Sequence, residues 1–143
     1  MKQKTGETVR PGLHVYIGTT GTGKTHLAAS HAIALAKAEQ KPLVIIDSRG
    51  AENLAQIQPV VTLPELSKRL TPSLVSRVLP SGAYAEQEFQ ECLELIDSSG
   101  NCIVFIDEVA QWGYNRSLIS LCRVWRHKKV SLFMTTQKIG RDL

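Results

Sequence analysis

Residues 18–25 read GTTGTGKT and directly follow the apolar run Leu13–Ile17, which has the composition of a buried strand. This stretch satisfies the spacing G-x-x-x-x-G-K-[ST], with its glycine positions at Gly18 and Gly23. Glycines permit positive φ angles and remove the Cβ atoms that would keep a phosphate group away from backbone N–H groups. The pattern therefore favours a phosphate-binding loop, or P-loop, over an ordinary glycine-rich surface turn.

The segment after this loop supports the same interpretation. Residues 26–38 are rich in alanine, which favours a helix, and Pro42 ends the segment. Backbone N–H groups at the start of that helix, together with its dipole, would attract a β-phosphate. Lys24 would reach the β- and γ-phosphate oxygens, and the Thr25 hydroxyl would hold Mg²⁺.

Length and composition describe one ordinary globular domain. The chain has 143 residues, of which 43% are hydrophobic and 21% charged. No apolar run approaches the ~20 residues that span a bilayer, and the N-terminus lacks the apolar region of a secretory signal. Cys92, Cys102 and Cys122 form no C-x-x-C pair and lie within apolar segments, which indicates reduced core cysteines. We expect a single domain over residues 1–143, with residues 1–11 as a flexible N-terminal arm. We expect the protein to be cytoplasmic or, if it is viral, to occur in the host cytoplasm or the virion.

The positive charge of the chain, +4 in sum, is concentrated near its carboxyl end. Residues 113–143 contain a single acid, Asp142. The basic residues of this region are Arg116, Arg123, Arg126, Lys128, Lys129, Lys138 and Arg141. Such a surface either binds a polyanion or is merely solvated, and charge alone favours neither interpretation.

Short apolar runs alternate with helix-favouring segments along the chain. We predict strands at Leu13–Ile17, Leu43–Ile46, 77–79, Cys102–Ile106 and 130–134, with a weaker candidate at 60–61. We predict helices at 26–38, 64–70, 84–98 and 115–126. Apolar runs without alternation are typical of strands buried on both faces of a parallel sheet. The order implies an α/β layered fold with right-handed crossovers, whose ligands bind at the carboxyl ends of the strands.

Two acids, Asp107 and Glu108, end the apolar run Cys102–Ile106, which has the form of a Walker B motif. A strand that leaves the core through two acids into solvent is common, but a P-loop earlier in the chain favours the Walker B interpretation. Asp107 would then hold Mg²⁺, and Glu108 would orient and deprotonate the attacking water. A water-activating carboxylate is needed by an ATPase and not by a nucleotide kinase.

A second polar strand end follows the predicted strand 130–134, where the chain continues Thr135, Thr136, Gln137. A side chain there could contact both the γ-phosphate and the attacking water, although a polar turn explains the same residues. We prefer Gln137 as the sensor because its amide both donates and accepts hydrogen bonds.

The predicted helix 115–127 has an apolar and a basic side. Its apolar residues at helical spacing are Leu118, Leu121, Cys122 and Trp125. On the opposite side or its flank lie Arg116, Ser120, Arg123, Arg126 and His127. The basic side could be solvated, could contact DNA phosphates, or could offer an arginine finger to the γ-phosphate of a neighbouring subunit.

Together these motifs resemble the HerA/FtsK superfamily of P-loop DNA-translocating ATPases, which includes viral genome-packaging ATPases. The resemblance covers nearly the whole chain and rests on four segments. These are GTTGTGKT at 18–25, VIIDSRGAE at 44–52, IVFIDE at 103–108 and WRHKKVSLFMTTQKIGRDL at 125–143. The last is the most specific, since it places an Arg-His pair, an apolar strand and a Thr-Gln followed by a basic residue in the family's order.

The resemblance implies a P-loop NTPase three-layer sandwich with a mainly parallel, RecA-like central sheet of the additional-strand, catalytic-glutamate type. It implies that ATP is bound by Gly18, Thr19, Thr20, Gly21, Thr22, Gly23, Lys24 and Thr25. It implies that Thr25 and Asp107 serve Mg²⁺, that Lys24 and Glu108 are catalytic, and that Gln137 senses the γ-phosphate. Arg123 or Arg126 would be the finger in trans. The family works as hexameric or similar rings that drive double-stranded DNA through a central channel.

Members of that superfamily usually continue into a further strand after the position of Gln137. We therefore expect either a minimal version of the motor or a sheet completed by another segment or protein partner. The leading hypothesis is an oligomeric ATPase that translocates or packages double-stranded DNA. The alternatives are a nucleotide-dependent loader or switch that acts through protein partners and a small-molecule kinase. Glu108 and the lack of an arginine-rich lid weaken the kinase hypothesis.

Overall fold

The computed structural model describes residues 9–18, 23–47, 61–70, 74–113 and 115–137. The strands in these ranges are β1 (Leu13–Ile17), β2 (Leu43–Ile46), β3 (Val75–Val78), β4 (Cys102–Ile106) and β5 (Val130–Thr136). The α-helices are α1 (Lys24–Glu39), α2 (Leu63–Lys68), α3 (Ala85–Ser99) and α4 (Arg116–Lys128). Short 3-10 helices occur at Gly82–Tyr84 and Val109–Trp112.

The five described strands form one sheet in the order β1-β5-β4-β2-β3. Every pairing is parallel, so the predicted α/β architecture with a mainly parallel sheet is confirmed, and the described sheet is parallel throughout. β5 lies between β1, which precedes the glycine-rich loop, and β4, which precedes the two acids. Because the three strands are parallel neighbours, their carboxyl ends lie side by side at the same end of the sheet, which we call the carboxyl edge.

The face of the sheet that α1 covers is packed closely. The residues that α1 buries are mostly small: Ala28, Ala29, Ala32, Leu35 and Ala36. They pack against apolar side chains from the central strands, among them Ile45, Phe105 and Phe133. Small side chains let the helix axis approach the sheet, which brings the start of α1 close to the strand ends.

The opposite face is covered by α2, α3 and α4. Its buried residues include Leu66 of α2, Phe89 of α3 and Leu121 of α4, packed on the alternate side chains of β4 and β5. Helices therefore cover both faces, which gives the predicted three-layer sandwich. All residues of β2, β4 and β5 are buried, and this explains why their sequences show no apolar–polar alternation.

β3 begins and ends earlier than predicted, at Val75–Val78 and not at 77–79. Its two central residues are polar, yet both are buried and bonded: Arg69 Nε donates to Ser76 Oγ at 2.9 Å, and Arg77 pairs with Asp47. The apolar-run criterion placed the start of this strand two residues late, because the polar Ser76 interrupts the apolar run after Val75. Of the weaker candidate at 60–61, Val61 is not in a strand, and residue 60 lies outside the described residues.

β1 forms an edge of the described sheet and has two unlike sides. His14 and Tyr16 face α1, where the His14 ring stacks on Phe133 and the Tyr16 hydroxyl bonds to His31 Nδ1 at 2.7 Å. The other side exposes an apolar strip whose residues are Leu13 (40% exposed), Val15 (50%) and Ile17 (55%). No helix within the described ranges is long and apolar enough to cross a membrane.

The cysteines are free, as expected, and Cys92 and Cys102 are buried. Burial raises the pKa of both thiols to about 12 and also raises the pKa of the half-buried Cys122. A raised pKa keeps the thiols of Cys92 and Cys102 protonated near neutral pH, as is usual for cysteines buried in apolar surroundings. Residues 1–8 of the expected N-terminal arm lie outside the described residues, while Val9 packs against the core.

Candidate nucleotide site

The end of the GTTGTGKT stretch forms the start of α1. Gly23 adopts a left-handed conformation with φ 81° and precedes the first helical residue, Lys24. Within the part of the chain that the structure describes, a Cβ atom at Gly23 would have no heavy atom within 4 Å. The first turn carries no acidic residue, so its N–H groups and partial positive charge suit an anion. The predicted contacts of Thr19, Thr20, Gly21 and Thr22 lie outside the described residues.

Asp107 lies at the carboxyl end of β4 and is 1% exposed. Its backbone N–H donates to Ile46 O of the neighbouring strand at 3.1 Å. The Thr25 hydroxyl donates to Asp107 Oδ1 at 3.0 Å, although the two residues are 82 positions apart in the sequence. Thr135 of β5 donates to the same oxygen at 2.7 Å. The two residues predicted to hold a metal ion are therefore in direct contact.

Glu108 faces the lysine of the glycine-rich loop. Lys24 Nζ lies 3.3 Å from Glu108 Oε1, and both side chains are about nine-tenths buried, with 10% and 11% exposure. Glu108 has a left-handed backbone, with φ 54° and ψ 61°, at the start of the 3-10 helix Val109–Trp112. That short helix is anchored where the Trp112 ring stacks on Phe89, with centroids 4.4 Å apart. The turn after β4 thus directs the second acid toward α1.

The donor set at this edge suits Mg²⁺. A hydroxyl and a carboxylate oxygen converge at Thr25 and Asp107, and hard oxygen ligands are those that Mg²⁺ prefers. No group of three or more His, Cys, Asp or Glu side chains that could ligate a metal occurs in the described part of the chain. One or two protein oxygens supplemented by substrate phosphates and water is the usual arrangement for Mg²⁺ in nucleotide sites.

A buried ion pair lies beside Asp107. Asp47 follows β2 and is fully buried, and Arg77 of β3 donates to its Oδ2 from Nε at 3.1 Å and from Nη2 at 2.9 Å. The register pairs Ile46 with Ile106, so the two aspartates that follow these residues are lateral neighbours. The guanidinium compensates the Asp47 charge within the protein, where an unpaired carboxylate would be costly.

The remaining predicted residues, Gln137, Arg123 and Arg126, are exposed. Gln137 follows β5 directly and is exposed. Arg123 and Arg126 are exposed on α4, which covers the face of the sheet opposite α1. α4 starts at the carboxyl edge and runs away from it, which puts Arg126 about 15 Å along the helix from Arg116. The Arg126 guanidinium lies over the Trp125 ring, 5.2 Å from its centroid.

Three side chains of the cluster were not predicted as site residues: Asp47, Arg77 and Thr135. Strand alternation could have identified Thr135, because it shares the α1-facing side with Phe133 and lies at the strand end. An arginine inside a strand was a signal for Arg77, but its partner 30 positions earlier could not be read from sequence.

The sheet is parallel, β5 lies between β1 and β4, and Lys24 and Thr25 at the start of α1 contact the two strand-end acids; this is the fold of P-loop NTPases. Comparing the sequence with protein-family models and with curated proteins gives no match. Comparison with solved structures agrees with the fold assignment. The sequence identities between this chain and those structures are below 25%, so the similarity concerns the fold alone.

The chain is similar to the genome packaging NTPase B204 from Sulfolobus turreted icosahedral virus 2. In the complex with AMP the TM-score is 0.67 at 17% identity, with 93% of this chain and 68% of that chain covered. In the complex with AMPPCP the TM-score is 0.64 at 17% identity, over 90% and 65%. B204, the DNA-packaging ATPase from Sulfolobus turreted icosahedral virus, gives 0.61 at 21% identity, over 90% and 66%. The chain thus spans about two thirds of the length of these proteins.

Proposed function

We propose that the chain is an ATP-binding and ATP-hydrolysing motor domain that translocates or packages double-stranded DNA as an oligomer. The observation that carries the ATPase part is the direct meeting of two motifs. Lys24 lies 3.3 Å from Glu108, and Thr25 lies 3.0 Å from Asp107. The same arrangement is needed for the phosphates to face both a metal-binding acid and a water-activating acid.

Each of these residues has a distinct role in the proposed reaction. Lys24 would bind phosphate oxygens as a point charge, and Thr25 with Asp107 would hold Mg²⁺. The bound ion would neutralise charge on the phosphates. Glu108 would orient the attacking water and accept its proton. Its burial and fixed backbone favour this role, because a preorganised carboxylate needs little rearrangement.

Substitution of Glu108 by Gln tests the ATPase proposal. E108Q should bind a fluorescent ATP analogue with an affinity close to that of the parent chain, while its steady-state turnover should fall by about 10²–10⁴-fold. Glu91→Gln is the matched control, because it makes the same chemical change on the exposed side of α3. Lys24→Ala should lose most ATP binding. Full turnover in E108Q would remove Glu108 from the proposed role.

The DNA-translocating part of the proposal has separate support. The solved proteins of similar fold include a DNA-packaging ATPase. Exposed Arg123 and Arg126 give α4 a basic surface that could bind phosphodiesters or reach a neighbouring subunit. β5 lies between β1 and β4, which supports the additional-strand type of fold that the HerA/FtsK resemblance implies, and we propose that the chain belongs to that superfamily. The apolar strip of β1 offers a surface for assembly into a ring.

ATPase rates with and without duplex DNA, measured together with the mass of the particle in solution, test this part. We expect stimulation by duplex DNA that weakens as salt is raised, and a mass several times that of one chain. R123A and R126A should separate their roles. Loss of an arginine finger would lower the ATPase rate even without DNA, whereas loss of a DNA contact would lower only the stimulation of the ATPase rate by duplex DNA. A monomer that no nucleic acid stimulates would contradict the motor proposal.

A nucleotide-dependent switch that acts through protein partners is the second candidate. The exposed apolar strip Leu13, Val15 and Ile17 supports it as well as ring assembly, because exposed sheet edges also pair with other proteins. A switch would show ATP-dependent protection of the β1 amides in hydrogen exchange only when a partner is present, and no response to DNA. Stimulation by DNA would favour the motor over the switch.

A further inference from the structure

Thr135 lies at the centre of the site, although neither motif contains it. It belongs to β5 and is fully buried. Its hydroxyl donates to Asp107 Oδ1 at 2.7 Å and accepts a hydrogen bond from the Glu108 backbone N–H at 2.8 Å. One hydroxyl therefore connects the inserted strand to both acids. A hydroxyl has a single proton, so the donation to Asp107 fixes its orientation and leaves its lone pairs toward the Glu108 amide.

We propose that Thr135 is a positioning residue for ATP hydrolysis: it holds the Glu108 backbone in the left-handed conformation that aims the carboxylate at the loop. The inference rests on the proposed ATPase function. Thr135 acts through Asp107 and Glu108. Thr25 and Lys24 do not replace it, because they contact the carboxylates of the two acids, whereas Thr135 accepts from the Glu108 backbone N–H.

The backbone of Glu108 explains why such support is required. A residue with a Cβ atom is disfavoured at φ 54° and ψ 61°, and such conformations persist where the surroundings impose them. The bond from Glu108 N to Thr135 is the tertiary contact that holds the turn at its first residue. The stack of Trp112 on Phe89 holds the turn at its far end. Loss of the first contact would let Glu108 relax while the fold persists.

The same hydroxyl constrains the metal-binding acid. Asp107 Oδ1 accepts from two hydroxyls, Thr25 on α1 and Thr135 on β5, which set the carboxylate between the helix and the inserted strand. Supporting hydrogen bonds of this kind around a metal ligand typically contribute 10–100-fold in metal affinity or activity. A shift in the Mg²⁺ dependence of turnover would therefore accompany loss of the Thr135 hydroxyl.

Three variants separate positioning from a general effect on the fold. Thr135→Val keeps the shape of the side chain and removes its hydroxyl, whereas Thr135→Ser keeps the hydroxyl. Thr136→Val makes the same hydroxyl-to-methyl change one residue later, on the opposite face of β5. Should T135V fail to fold, T135A removes the same hydroxyl without adding a methyl group, and urea unfolding reports the stability of each variant.

Amide hydrogen exchange of Glu108, followed by NMR in protein without nucleotide, is the first readout. We expect exchange at least about tenfold faster in T135V than in the parent chain, and parent-like exchange in T135S and T136V. This measurement involves no ATP, so it tests the Thr135 contact even if the chain has no ATPase activity. Unchanged exchange in both T135V and T135A would overturn the inference.

Turnover and nucleotide binding are the second readout. In T135V we expect kcat to fall about 10–100-fold, the Mg²⁺ concentration for half-maximal rate to rise, and binding of a fluorescent ATP analogue to stay within about threefold. T135S should restore kcat. Faster Glu108 exchange combined with parent-like kcat would refute positioning and leave only a structural contact. A parent chain without turnover would instead refute the proposed ATPase function.

Discussion

The ion pair between Lys24 and Glu108 gives a stability prediction that does not depend on nucleotide. At 3.3 Å the Coulomb attraction amounts to about 5 kcal/mol for an effective dielectric constant of about 20. Both groups lose hydration, so the net coupling will be smaller. We expect K24M to lower the free energy of unfolding by about 3 kcal/mol, because it leaves a buried carboxylate without its cation. E108Q should cost less, since its amide oxygen still accepts a hydrogen bond from the lysine.

A double-mutant cycle measures this coupling. Urea unfolding of the parent chain, K24M, E108Q and the double variant should give a coupling energy of about 2 kcal/mol. Adding NaCl to roughly 0.5 M should barely reduce this coupling energy, because a buried pair is screened little by salt. Lys128 and Asp97 provide the matched control, because they are 3.7 Å apart but 41% and 46% exposed. Their cycle, K128M with D97N, should give less than about 0.5 kcal/mol. An equally small coupling for Lys24 and Glu108 would refute a desolvated ion pair.

Two further predictions concern the rest of the fold. Gly100 has φ 59°, and an added Cβ would lie 2.8 Å from Lys128 O, so G100A should lower the free energy of unfolding by about 3 kcal/mol. Gly82 also has a positive φ, but a Cβ atom added there would meet no described atom within 4 Å, so G82A should lower the free energy of unfolding by only about 1 kcal/mol. Equal losses for G100A and G82A in urea unfolding would contradict a role for the close approach of Gly100 to Lys128 O. Burial raises the pKa of Cys92 and Cys102 from 9.0 to about 12, so the folded chain retains protons that the unfolded chain releases. Stability should therefore decline between pH 9 and 12, by at most about 1.4 kcal/mol per pH unit and thiol, and a double alanine variant with an equally steep decline would refute this.

The helices and most of the strands were predictable because their patterns are local, although β5 continues through Thr136 and not, as predicted, only to residue 134. Residues 115–126 showed the apolar side of α4, and the run Cys102–Ile106 matched β4 residue for residue. The start of β3 was predicted two residues late, because Ser76 is polar and the partner that satisfies it, Arg69, lies in another segment. A prediction from the apolar pattern uses only the residues of one segment and takes no account of partners in other segments.

The sequence by itself determined the alternation of strands and helices and the places of the glycine-rich stretch and the two acids along it, because glycine content, apolar runs and helical periodicity depend on neighbouring residues. Tertiary structure decided which strands are adjacent. It brought Thr25 to Asp107 across 82 positions and placed Thr135 against both acids. It also gave Asp47 its cation from β3. Such lateral neighbours follow from strand order and helix packing, which arise from the burial of many distant segments together and leave no local trace in the sequence.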